Sequence, residues 1–301
     1  MSDPSFSKRC DAISPFTVMQ LLQRAGELEA DGHKVVHFEV GEPDFSTSQP
    51  VLDAAHNALR EGRTKYTAAQ GIPELRAAIS DYYAKAGVDV PADRILVTSG
   101  ASGGLTLLSA LLLNPGEEML ITDPGYPCNE VFTRLVGGIP KPIVVGAEQR
   151  FQPTVTDVRD AWGSNTRGML LASPSNPTGT MLAAKQLQEL NAEVRRRSGF
   201  FILDEIYQNL VQTPWQYSTG LSACPDLFVL NSFSKYFGMT GWRLGWIVVP
   251  DRAIDAVTKL AQNLFISPSA PAQYAAIAAF SDAAMKINQQ RVEIFAERSR
   301  Q

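Results

Sequence analysis

Short apolar runs, each closed by a cluster of polar residues, set the tightest limit on how this chain can fold. They lie at 95–98, 119–122, 169–172, 200–203, 227–230 and 244–249. Several are apolar throughout, without the alternation of a half-exposed strand, so they read as strands covered on both faces of a largely parallel sheet. Stretches with helical period fall between and around them, at 73–86, 105–113 and 185–197, and supply the covering helices. The expectation is a doubly wound α/β domain. The end of the chain, 251–301, reads as helical with a break at Pro268 and Pro271. A length of 301 residues accommodates one large α/β domain, alone or with a smaller one.

Composition narrows the class of partner. With 45% hydrophobic and 19% charged residues the chain has the balance of a folded globular protein. A net charge of −4 with no basic stripe gives no footprint for nucleic acid or an anionic membrane, which leaves a small-molecule partner. The cysteines, Cys10, Cys128 and Cys224, are odd in number and widely spaced, arguing against a disulfide framework and a metal site and for a reducing, cytoplasmic setting. No segment has the length of apolar sequence that a membrane span needs, and the first 30 residues lack the pattern of a secretory leader.

In an open α/β sheet, ligands gather at the carboxyl ends of the strands. Here those ends carry Ser99-Gly100-Ala101-Ser102, Asp123-Pro124-Gly125-Tyr126, the Ser173 to Gly179 loop, Asp204-Glu205-Ile206-Tyr207 and Asn231-Ser232-Phe233-Ser234-Lys235. A glycine turn opening a helix presents free N–H groups to a phosphate, and Ser232 and Arg243 can complete the cradle. A carboxylate at the end of a buried strand, Asp204, calls for a cation such as a protonated pyridine nitrogen. Lys235, at a strand end in a dry pocket, is a natural Schiff-base nucleophile. Tyr126 can stack on a flat ring, and Asn176 and Tyr207 can hydrogen-bond a phenolate oxygen. Taken singly, each of these has a plain reading as a cap, a turn or a surface charge; their order at successive strand ends is what reverses it.

Gly41-Glu42-Pro43-Asp44-Phe45, Lys65-Tyr66 leading into Gly71, the Ser173-Pro174-Ser175-Asn176-Pro177-Thr178-Gly179 loop, Asp204-Glu205-Ile206-Tyr207, and Ser232 to Tyr236 followed by Gly241-Trp242-Arg243-Leu244-Gly245 together resemble the class I/II aminotransferases of fold type I, of the aspartate aminotransferase kind. The resemblance runs from about residue 13 to the end of the chain. It implies an enzyme that moves an amino group between an L-amino acid and a 2-oxo acid with pyridoxal 5'-phosphate (PLP). Lys235 is then the internal-aldimine lysine and proton shuttle, Asp204 the partner of the pyridine nitrogen, and Tyr207 and Asn176 the ligands of the ring oxygen. Gly100, Ala101, Ser102, Ser232 and Arg243 form the phosphate cradle, with Ser234 a weaker member, and Tyr126 stacks on the ring. Tyr66 matches a tyrosine that reaches the phosphate of a neighbouring subunit, implying a homodimer with shared active sites. Gly41 and Asn176 match positions near the substrate carboxylate, and the Ser173–Pro174 and Asn176–Pro177 bonds fall where the family often has cis peptides.

The resemblance also divides the chain into an arm with part of a small domain (1–45), a PLP-binding large domain (46–290) and the start of a C-terminal small domain (291–301). Members of the family carry a carboxylate-clamping arginine beyond that point, which Arg291, Arg298 and Arg300 do not match, so the small domain is expected to be incomplete. Two alternatives share the cofactor: a lyase or decarboxylase on the same scaffold, and a non-catalytic PLP-binding regulatory module. A third reading, Gly100-Ala101-Ser102-Gly103-Gly104 as the nucleophile elbow of a hydrolase, needs a histidine downstream, whereas His33, His37 and His56 all precede Ser102.

Overall fold

The computed structural model describes residues 6–211 and 219–301. Its centre is a seven-stranded sheet of β1 (Ile95–Thr98), β2 (Glu118–Asp123), β3 (Ile139–Val144), β4 (Thr166–Ala172), β5 (Phe200–Asp204), β6 (Phe228–Ser232) and β7 (Gly245–Val248), in the order β1-β7-β6-β5-β4-β2-β3. The pairings from β6 through β5, β4 and β2 to β3 are parallel, and β7 runs antiparallel to both of its neighbours.

The unbroken apolar runs have a direct cause. Side chains alternate faces along a strand, and here both faces are covered. On β4, Met169 and Leu171 join one hydrophobic core while Leu170 joins the other; on β5, Phe201 and Leu203 face the first, and Phe200 and Ile202 the second. The helices Pro73–Lys85 and Ala184–Arg196 stand close to their expected bounds. The helix expected at 105–113 spans Gly100–Leu112, because the glycine turn itself forms its first turn.

Two features depart from the sequence expectation. Strand β3 was not among the expected runs: it holds Pro140 and Pro142 and buries only Pro140 and Ile143, as an edge strand can when proline has no N–H to give the ladder. The break near the end of the chain lies between the helices Ile254–Leu264 and Ala270–Ala278, so Pro268 sits in it, whereas Pro271 sits in the first turn of the second helix, where its missing N–H costs nothing. The final helix, Asp282–Arg298, continues unbroken through 290–291. Among the described residues no helix is long and apolar enough to cross a membrane.

Candidate active site

The carboxyl ends of β1, β2, β4, β5 and β6 lie along one rim of the sheet, and the reversed β7 begins at that same rim. Reversal therefore returns Arg243 beside the residues that end β6. At the β1 end, Gly100 takes φ +70°, and a Cβ there would stand 2.7 Å from Arg243 Nη2, so the guanidinium lies directly against the turn. Gly245 presses on the same turn from below: a Cβ on it would lie 2.9 Å from Gly100 C and 3.0 Å from Ala101 N. The 13-residue helix Gly100–Leu112 has no side-chain cap, so the amides of its first turn are free at a positive helix end. Ser102 is exposed in that turn, and Ala101 half-buried. Arg243 is fixed by a bond from Nη1 to the Thr240 carbonyl (2.9 Å).

At the end of β6, Ser232 Oγ accepts the Ser234 amide (3.0 Å) and lies 3.0 Å from Ser234 Oγ. Lys235 follows, half-buried, with Nζ donating to the Gly41 carbonyl at 2.8 Å and standing 5.6 Å from the centre of the Tyr207 ring. Burial pushes the Lys235 ammonium below its ordinary pKa and the Arg243 charge adds to this, while Glu42 opposes both. The segment Gly41–Phe45, distant in sequence, is thus drawn over the lysine.

Asp204 ends β5 with 4% of its surface exposed, and its one hydrogen-bond donor among the described residues is the Ile206 amide at 3.0 Å. Burial outweighs that bond and pushes its carboxyl up to about 7. Asn176 Nδ2 donates to Tyr207 Oη at 3.2 Å. The Tyr207 phenol is pushed up to about 12 by burial and then by the Asp204 charge, with the Asn176 bond opposing. Tyr126 is raised further, by burial first, then by its contact with Cys128 and the negative charges of Tyr207 and Asp204. Tyr126, Tyr207 and Asp204 therefore sense one another electrostatically. The Ser173–Pro174 and Asn176–Pro177 bonds are cis, and so is Asp123–Pro124 ahead of Tyr126, which was not foreseen.

The structure thus brings Gly41, Gly100, Ala101, Ser102, Tyr126, Asn176, Asp204, Tyr207, Ser232, Ser234, Lys235 and Arg243 to one rim. Tyr66 stands apart, 82% exposed, on a loop whose next residue, Thr67, is fastened by the buried Gln273 side chain (3.1 Å). Residues that sequence reasoning missed include Glu42, which faces Lys235, and Gly245, whose glycine follows an arginine by two positions and was given no role. The arrangement supplies an anion cradle, a buried acid with no cation beside it among the described residues, a phenol–amide pair and an amine. That set suits a phosphorylated, protonated ring carrying an aldehyde.

A model of the family described as "Aminotransferase class I and II" matches residues 33–301. The (5-formylfuran-3-yl)methyl phosphate transaminase of Methanocaldococcus jannaschii is 39% identical over 278 residues, spanning 91% of this chain and 72% of its own. The aspartate aminotransferase of Geobacillus stearothermophilus is 35% identical over 291 residues, spanning 95% and 74%. Among solved structures, an aminotransferase from Mycobacterium tuberculosis superposes with a TM-score of 0.92 at 34% identity over 96% of this chain and 75% of that one. The Thermus thermophilus aspartate aminotransferase with maleate gives 0.93 at 29% identity over 98% and 78%.

Proposed function

The chain belongs to the class I and II aminotransferases, a PLP-dependent family of fold type I, and from that premise we propose which of its residues perform the transamination. The reaction moves an amino group between an amino acid and a 2-oxo acid. The donor set fits PLP on its own chemistry. Asp204 carries the reading: a carboxyl sealed at a strand end with no cation beside it is costly, and a protonated pyridine nitrogen relieves that cost. The Gly100 turn with Arg243 packed against it, backed by Ser232 and Ser234, would hold the phosphate. Tyr207 and Asn176 would hold the ring oxygen, and Tyr126 would cover the ring face.

When bound, PLP supplies an aldehyde for covalent attachment and a ring that draws electrons from the carbon being deprotonated. Lys235 supplies the attaching amine, and its Nζ takes and returns the substrate's α-proton. Its depressed pKa favours both tasks by raising the fraction of neutral amine near pH 7. Asp204 keeps the ring nitrogen's proton in place. Gly41 and Asn176 would meet the substrate carboxylate, as their match to the family's motif positions implies.

Residues 46–290 make up most of the cofactor-binding unit in this reading, with the helix Asp282–Arg298 leading out of it. The exposed Tyr66 on a fastened loop supports a homodimer with shared sites, and the cysteine usage supports a cytoplasmic setting. Borohydride treatment of the PLP-loaded protein followed by peptide mapping should recover the fixed adduct on Lys235. Its recovery on another lysine would overturn the assignment.

A further inference from the structure

Strand β6 runs past the end of β5. The last ladder bond between them is from the Glu205 amide to the Leu230 carbonyl (2.8 Å), after which the β5 chain turns and the Ile206 amide goes to the Asp204 carboxylate. In a parallel pair, alternate residues direct their N–H to the same neighbour, so the Ser232 amide points to where β5 no longer offers a carbonyl. A buried amide must find another acceptor. Asn231 provides it: its Oδ1 accepts the Ser232 N–H at 2.8 Å. The same side chain donates from Nδ2 to Gln208 Oε1 at 2.8 Å, and Gln208 is itself bound through its amide to the Glu205 carbonyl (2.8 Å). Both side chains are sealed from solvent, Asn231 at 3% and Gln208 at 5% exposure. On its other side the Asn231 carbonyl lies 2.8 Å from where a Gly245 Cβ would be, the glycine that presses on the Gly100 turn.

We propose that Asn231 is a positioning residue for phosphate binding, its amide locking the end of β6 that presents Ser232 to the turn that presents Asp204 and Tyr207. This rests on the reading of the rim as a PLP site and adds a role for a residue that touches neither cofactor nor substrate. Ser232 Oγ can address a phosphate only while its backbone is held: β7 holds it on one edge through the Ser232–Gly245 pairing, and the buried Asn231 side chain holds it on the other. Ring-binding residues on the β5 turn keep their own support from Asn176 and the Ile206 amide, so the effect should fall on the phosphate end of the ligand.

Comparing PLP with pyridoxal, which lacks the phosphate, isolates that end. Spectroscopic titration of the cofactor-free 301-residue protein should show a strong preference for PLP over pyridoxal. Asn231→Ala should reduce PLP affinity by about tenfold, the scale of one or two buried hydrogen bonds, with pyridoxal affinity nearly unchanged. Gln208→Met, which removes only the acceptor of the Nδ2 bond, should shift the same ratio in the same direction by a smaller factor, and it serves as the test if Asn231→Ala does not fold. An unchanged ratio in a folded variant, or a parallel loss of affinity for both ligands, would refute a positioning role. If the unaltered protein itself does not prefer PLP, the assignment of the rim as a phosphate site fails, and this inference falls with it.

Discussion

Asp204 is where burial and chemistry meet in a single side chain. Its carboxyl rises from 3.8 to about 7 in the free protein, driven by burial and opposed by the Ile206 amide. The folded value lies above the unfolded one, so the neutral form is favoured by folding, and the stability it brings is complete below about pH 4 and lost as pH rises through about 7. The full difference is about 4 kcal/mol. Asp204→Asn should therefore be more stable than the parent at pH 8 in the absence of PLP, with the gap closing towards pH 5, and thermal melts across that range would show it. With PLP present the same variant should lose turnover by at least about a hundredfold, since the ring nitrogen no longer meets a charge. A melting difference independent of pH would mean that Asp204 is not the sealed, cation-free acid described. Asp204 and Arg243 were legible because each is a charged residue next to an apolar run, where a charge needs a reason, and Lys235 because it closes the polar cluster that ends another run. Asn231 and Gln208 were not. Their importance comes from β6 outrunning β5, and strand ends relative to one another are not written in either strand's own sequence.

At the level of elements, the reversed β7 packs backbone to backbone against the Gly100 turn. Around Gly245 every atom within 3.0 Å of an added Cβ belongs to backbone, Asn231 O, Gly100 C and Ala101 N, so no side chain can swing aside. Gly245→Ala should cost about 1–3 kcal/mol in urea denaturation and weaken PLP binding by moving the turn. Gly241→Ala, where nothing stands within 4 Å of the added carbon, should leave both unchanged. Equal behaviour of the two variants would show that the turn can yield. The apolar runs disclosed six of the strands because double burial leaves a clear mark on composition. Strand β3 escaped notice because as an edge it buries only Pro140 and Ile143, and its prolines disguised it. The direction of β7 could not be read from an apolar run, which looks the same whichever way it is laid in a sheet.

For the molecule as a whole, the test of assembly is complementation. Tyr66 has no site of its own to serve within reach of the described contacts, yet its loop is held by Thr67 to Gln273 and by the Thr67 amide to Ser267 Oγ (3.4 Å). A rigidly held, 82% exposed tyrosine suits delivery to a second copy. Chains carrying Tyr66→Phe mixed with chains carrying Lys235→Ala should regain activity, because each mixed dimer restores one site with both residues intact. Mixtures no more active than the unmixed parents would rule out shared sites. The architecture followed from the pattern of runs, while the drawing of Gly41 over Lys235 joins residues 194 positions apart and has no local signal.

The segment between β6 and β7 has a consequence for transplantation. Its ends are clasped by the bond from the Phe233 amide to the Leu244 carbonyl (3.1 Å), its middle by the Met239 amide on the Phe233 carbonyl (3.0 Å), and its aromatic residues Phe233 and Phe237 pack at 5.1 Å within its own span. The loop is closed at its base, but its aromatic rings also rest on Trp246 (4.9 Å from Phe233) and Phe280 (5.1 Å from Phe237), outside its own span. The amine and the guanidinium share one closed segment, so a relative's version spliced in at Ser232 and Gly245 would carry both together, and it would function only where it also matched Phe280 and Trp246 beneath it, Thr47 beside Gly238 and Trp242, and the Gly41 carbonyl that meets Lys235.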